Sequence, residues 1–153
     1  MSDFETAKVP DSMPDWCKDH VRRYLSDPES GHTHLSTSQQ DQPVTALLML
    51  AKGRKSGQAM VYPLIYGRDG DRYVLVASKA GAEQHPGWYL NLMANPRVRI
   101  QVKDKRMDVV ARTATGAERE RLWAMMSAYF KPYNEYQGRT AREIPVVVLE
   151  PAA

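Results

Sequence analysis

The sequence predicts a mainly β protein with flanking helices, an antiparallel barrel of about six strands. Short apolar, β-branched runs recur at residues 44–51, 59–66, 72–78, 98–102, 106–113 and 144–149, each of strand length. Hairpin-type connections join most of them, such as Gly67-Arg68-Asp69-Gly70-Asp71 with its Asp-Gly pair. The helical patterns are few and sit beside this series instead of alternating regularly with it.

A chain of 153 residues is one ordinary domain with room for its own core. Hydrophobic residues at 42% and charged residues at 25% place it among soluble globular proteins. No apolar stretch approaches the roughly 20 residues that cross a bilayer. The start, Met1-Ser2-Asp3-Phe4-Glu5, lacks the basic onset and apolar run of a secretory signal. A single cysteine, Cys17, cannot close an internal disulfide, which fits a reducing, cytoplasmic setting. A net charge of +3 suits an anionic ligand or an anionic membrane surface and does not call for nucleic acid.

Residues 1–11 read as disordered. An amphipathic helix is expected over 12–27, its apolar positions Met13, Trp16, Cys17, Val21, Tyr24 and Leu25 spaced by three and four. Ser12 is its expected cap, with Pro14 in the first turn. Residues 26–43 are polar, without a periodic apolar face, and read as a linker or mobile flap. The organisation is therefore an N-terminal tail, helix and linker over 1–43, then the barrel over 44–153. Within the barrel, residues 44–51 form a buried strand and 52–57 a turn. Pro63 interrupts the next strand and marks an edge, a bulge or a ligand-facing bend. A strand over 72–78 leads to a small-residue turn and a short aromatic helix, begun at Pro86 and stopped by Asn95-Pro96. Val98, Ile100 and Val102 alternate with Arg97, Arg99, Gln101 and Lys103, giving a half-buried strand with a basic outer face. Thr115-x-x-Glu118 reads as a capping box opening a helix. A loop bearing Tyr133, Tyr136 and Gly138 precedes the last strand.

The string Ser78 to Pro96, SKAGAEQHPGWYLNLMANP, resembles the signature of the deazaflavin-dependent nitroreductase family. Gly53-Arg54-Lys55-Ser56-Gly57-Gln58 and Ile144-Pro145-Val146-Val147-Val148-Leu149-Glu150-Pro151 agree with it in the family's order. The resemblance implies a split β-barrel, akin to the flavin-mononucleotide-binding barrels. It also implies coenzyme F420, an 8-hydroxy-5-deazaflavin carrying a phosphate and a polyglutamate tail. The implied activity is hydride transfer from the reduced deazaflavin to conjugated acceptors: quinones, nitroaromatics, and activated alkenes such as coumarin-type lactones. Two alternatives stay open, a flavin-mononucleotide-dependent oxidoreductase on the same barrel and a non-catalytic deazaflavin carrier.

The candidate residues follow. Lys52, Arg54, Lys55, Ser56 and Gly57 bring three cations, a hydroxyl and a glycine to one turn, able to present N–H groups and a guanidinium to a phosphate. Taken alone the loop is better read as a solvated basic turn; the resemblance makes it the seat of the cofactor's phosphate tail. Pro63 joins the cofactor set. By resemblance, the backbone of Ala77, Ser78 and Lys79 meets the polar edge of the deazaflavin, with Ala80 and Gly81 completing the turn. Trp88 walls the ring or tail, and Asn91 offers a polar contact. This chain departs from the family at Ala59-Met60, where a further cation is common, at Tyr62 in place of asparagine, and at Ala80 in place of glycine. Tyr129, Phe130, Tyr133 and Tyr136 are packing residues by spacing; the resemblance places them on the acceptor side with Met126, opposite Ile65 and Ser78. Tyr133 is the first choice to bond or protonate the acceptor, Tyr136 the second, and Ser78 is the third catalytic candidate.

No metal is expected: His32-x-His34 has no third ligand at useful spacing and reads as solvated. Cys17 lies on an apolar helix face and is not expected to be a nucleophile. Glu83 and His85 read as turn residues. The basic strand at 97–106 lacks interleaved aromatics, against nucleic-acid binding. The expected partner is a small aromatic or conjugated acceptor, with the chain a monomer or homodimer. The N-terminal helix is read as a lid over the site, with a peripheral membrane contact as the other reading.

Overall fold

Alternation in the strands settles the architecture. In the computed structural model, which describes residues 4–34 and 44–152, the odd positions Leu47, Met49 and Ala51 point into one core and the even positions Ala46, Leu48 and Leu50 into another. The same division separates Tyr73, Leu75 and Ala77 from Val74 and Val76. A strand covered on both faces needs an almost unbroken apolar run, which is what residues 44–51 supply.

The helices are α1 (Asp15–Ser26), α2 (Pro28–His32), α3 (Gly87–Ala94), α4 (Gly116–Tyr129) and α5 (Pro132–Gly138). The strands are β1 (Thr33–His34), β2 (Val44–Lys52), β3 (Ala59–Ile65), β4 (Gly67–Asp69), β5 (Arg72–Val76), β6 (Arg97–Val102), β7 (Lys105–Thr113) and β8 (Val146–Pro151). They form one curled sheet in the order β1-β2-β6-β7-β8-β5-β4, with β3 also paired to β2, and every strand pair is antiparallel. This is a split barrel with flanking helices. Its concave side holds the main core, closed by Trp88 and Leu92 of α3. Leu122 and Met126 of α4, with Phe130 and Tyr133, cover the outer face of β5 and β8. Val21 and Tyr24 of α1, with Phe4, cover the outer face of β2 and β3.

β3 hydrogen-bonds to β2 and not to β5, so the curl stays open along the β3–β5 seam. Val61 N–H on the outer edge of β3 donates to Lys8 O at 2.9 Å. Two residues on, Pro63 occupies the same edge, where the ladder needs no donor.

Several expectations need correction. Residues 4–11 are folded: Phe4 is 1% exposed, stacks under the Arg106 guanidinium at 4.7 Å, and is followed by a bridge from Lys8 to Met60. The N-terminal region thus shares a core with the barrel. Tyr24 fixes it further, donating to Ala46 O at 2.8 Å and accepting from Lys103 N–H at 2.9 Å. The polar stretch after α1 folds into α2 and β1; the rest of the expected flap, 35–43, lies outside the described residues. Pro14, not Ser12, precedes α1. Thr115 makes no capping bond, and the Glu118 carboxylate that would turn back onto the Thr115 N–H is taken by Arg112 and Arg72. The expected loop after α4 is the helix α5, with Pro132 in its first turn.

Candidate active site

The open seam becomes a cavity of about 850 Å³. Pro63, Leu64 and Ile65 of β3 face Leu75 and Val76 of β5 across it. α1 and the residues before it roof it with Met13, Pro14, Trp16, Cys17 and His20, while Trp88, Phe130, Tyr133 and Tyr136 supply aromatic walls. The interior is therefore mainly apolar, suited to a planar ring.

One wall is polar. Ser78, Lys79 and Ala80 line the cavity in a turn where Ser78 is αR (φ −79°) and Lys79, Ala80 and Gly81 are left-handed (φ 45°, 52° and 82°). An αR–αL succession gathers consecutive N–H groups into a concavity that receives anionic oxygen. Among the described residues, the Ser78, Lys79 and Ala80 N–H groups find no acceptor. Holding Lys79 and Ala80 left-handed costs about 1–2 kcal/mol per residue, so the surrounding contacts must impose it. Gly81 provides one such contact: a Cβ there would lie 2.7 Å from Tyr136 O, so only glycine lets the turn dock on α5. Ala77 is committed to the fold, with its N–H on Pro145 O and its carbonyl accepting from Arg142.

The basic loop between β2 and β3 is tied to α3, which carries Trp88 into the cavity, but none of the loop's own residues lines the cavity. Arg54 N–H and Nη1 both donate to Asn91 Oδ1, at 3.0 and 2.9 Å. Asn91 Nδ2 donates to Tyr62 OH at 2.8 Å. Asn91 is thus buried and holds Arg54. Tyr62 holds the far end of this relay. Trp88, one turn before Asn91, faces the cavity. Lys52, Lys55, Ser56 and Gly57 form the exposed remainder of the loop, Ser56 Oγ accepting from Gln58 N–H at 3.1 Å.

Among the aromatic walls, Tyr133 is buried, 4.9 Å ring to ring from Phe130. Burial pushes its phenol well above the ordinary tyrosine range, with Tyr136 and Tyr129 adding to the rise. It is a neutral donor at physiological pH. Ile65, Phe130 and Tyr136 line the same space. Tyr129 and Met126 lie outside the cavity lining: Tyr129 OH takes the Thr45 N–H at 2.7 Å, and Met126 packs against Gly67.

The N-terminal helix, read from the sequence as a lid, lines the cavity through Trp16, Cys17 and His20 of α1. Cys17 is buried there and its thiol is pushed up to about 11 by desolvation, the opposite of an activated thiolate. His20 Nε2 bonds Gly31 O at 2.8 Å, and burial lowers the pKa of its ring below the ordinary histidine value. His32 is half-buried, 2.6 Å from Tyr66 OH, not solvated as expected. No trio of metal-ligating side chains gathers among the described residues. Nor does any described helix have the length and apolarity to cross a membrane.

The family model for F420H(2)-dependent quinone reductases matches residues 17–151. Over 107 residues the chain is 45% identical to an F420H(2)-dependent quinone reductase of Mycobacterium tuberculosis, covering 68% of this chain and 72% of that protein. A solved structure described as an F420-H2 dependent reductase (FDR-A) superposes with a TM-score of 0.64 at 42% identity, over 69% of this chain and 93% of that one. Another, described as a domain-swapped dimer, gives a TM-score of 0.66 at 37% identity, over 89% and 98%.

Proposed function

Because the chain belongs to the F420H(2)-dependent quinone reductase family, an oxidoreductase family whose cofactor is coenzyme F420, we propose that it reduces a planar quinone-type acceptor held in the β3–β5 cavity. The observation that carries this reading is the pairing of one polar wall, the turn with three unpaired N–H groups, with an aromatic, apolar enclosure. The flavin-mononucleotide and carrier alternatives give way to the family's cofactor and enzymatic character.

The residues present fit the cofactor. The N–H groups of Ser78, Lys79 and Ala80 suit the electron-rich edge of a deazaflavin. Arg54 and Lys55 suit its phosphate tail, with Lys52 adding charge nearby. Pro63, Ile65 and Trp88 are apolar surfaces for the ring. When bound, reduced F420 supplies a hydride equivalent. The chain's task is position and electrostatics. Tyr133 donates a hydrogen bond to the acceptor's carbonyl oxygen and stabilises the negative charge that develops there. With one hydride and one proton, delivered by the Tyr133 hydroxyl or by water, the quinone becomes a hydroquinone. Removing bulk water behind Trp16 and Met13 protects the reacting carbon. Nitroaromatics and coumarin-type lactones are planar enough for the same cavity and form the outer part of the proposed range.

The test is oxidation of reduced F420, followed by its absorbance, with one naphthoquinone, one nitroimidazole and one coumarin. Turnover is expected to be fastest with the quinone. No turnover of the quinone, with the cofactor bound, would contradict the assignment.

A further inference from the structure

Arg142 sits in no motif and outside the basic loop, yet its side chain reaches both ends of the cavity's polar turn. Nη1 donates to Ala77 O at 3.3 Å, Nη2 to Ser78 O at 2.8 Å, and Nε to Ala82 O at 2.8 Å. Nη1 also donates to His85 Nδ1 at 3.1 Å. A planar guanidinium with its N–H groups in a fixed fork can hold several carbonyls at once; an ammonium cannot span them.

The consequence follows from the geometry of the peptide unit. In a trans peptide the C=O and the following N–H point in opposite directions. Drawing the Ala77 and Ser78 carbonyls toward Arg142 therefore turns the Ser78 and Lys79 N–H groups the other way. The arginine is itself fixed. Its N–H donates to Thr140 Oγ1 at 3.3 Å, and its carbonyl accepts from Gln137 Nε2 at 2.7 Å. Gln137 Oε1 in turn takes the Ile144 N–H at 2.9 Å. Its neighbour Glu143 pairs with Arg119, and Glu135 pairs with Arg139. Among the described residues Arg142 has no carboxylate partner, so its charge is left unneutralised beneath the turn.

We propose that Arg142 is the positioning residue of the cofactor site, aiming two backbone N–H groups into the cavity from behind and adding positive charge below them. This rests on reading that turn as the cofactor's seat.

The test compares wild type, Arg142→Ala and Arg142→Lys. It measures the Kd of oxidised F420 and the KM values for reduced F420 and for a naphthoquinone. Arg142→Ala is expected to weaken F420 binding by about tenfold or more, the scale of losing charge-assisted bonds. It should raise KM for the cofactor and leave KM for the quinone nearly constant. Guanidinium chloride at tens of millimolar should restore much of the affinity, whereas ammonium chloride at equal concentration should not. Arg142→Lys keeps the charge without the fork and should fall between the two. If Arg142→Ala does not fold, Arg142→Lys carries the same KM comparison.

F420 affinity within about twofold of wild type in the folded variant would overturn the proposal. So would an equal rise in both KM values, or equal effects of the two salts. A wild type that binds no F420 would sink the cofactor reading together with this one. Wild-type binding that survives in the variants overturns this one alone.

Discussion

The two ends of β5 treat charge in opposite ways. At its start, Arg72 reaches Asp69 and Glu118, Arg121 reaches Asp69, and Arg112 bridges Glu118 and Glu150. This cluster ties α4 to β4, β5, β7 and β8. Past its far end, Lys79 and Arg142 have no carboxylate partner among the described residues, and neither do Arg54, Lys55 and Lys52 across α3. The first region spends its cations on its own anions, so the fold is held there. The second leaves cations without a carboxylate and N–H groups without an acceptor among the described residues, which fits the site of an acidic-tailed cofactor. A partly exposed pair in such a network contributes only about 0.2–1 kcal/mol to stability; an unneutralised rim keeps its charge available for binding.

Substitutions can break or sharpen this contrast. Tyr133→Phe removes the polar group on the acceptor wall and should lower kcat by about a hundredfold, the usual size for a lost proton or charge-stabilising donor. F420 affinity should be retained; a selective loss of affinity instead would assign Tyr133 to the cofactor. Next in size, Arg54→Ala combined with Lys55→Ala should weaken F420 binding by about ten- to a hundredfold, with a nearly constant melting temperature. A large melting shift with unchanged Kd would move these cations from the binding region to the structural one.

At the other end, Glu118→Gln should cost about 1 kcal/mol, reduced by added salt, with F420 affinity untouched. Hydrogen bonds from Arg121 hold the Asp69 carboxyl below its ordinary range, and those from Arg112 do the same for Glu118. Their contribution is therefore complete above the unfolded carboxylate value and is lost as pH falls through the lower folded one. Melting temperature measured down an acid series should fall in that window, and less steeply in Glu118→Gln. The smallest effect is at Ala80. With φ at 52°, Ala80→Gly should relieve about 1 kcal/mol of strain, partly offset by the greater freedom of glycine when unfolded. Kd should change little, since the N–H stays in place. A marked loss of affinity would show that the Ala80 methyl contacts the ligand.

Strand placement was legible in the sequence because burial on one or both faces writes itself into alternation or into unbroken apolar runs. The basic loop was legible as charge. Four features were not. Phe4 was hidden in a polar tail, since one aromatic carries no period and its pocket exists only once β2 and β3 are paired. Glu118 read as a cap, and tertiary arginines outcompeted the local bond. Arg142 carries no local signal, because its carbonyl partners lie some sixty residues earlier (|i−j| of 60, 64 and 65). The left-handed Lys79 and Ala80 were likewise unmarked, as only Gly81 advertises that conformation.

The most direct test of the unneutralised rim is a fluorescence titration of oxidised F420 into the purified protein at low and raised salt. Saturable one-site binding that weakens as salt increases is the predicted result. No saturable change, or an affinity indifferent to salt, would contradict it.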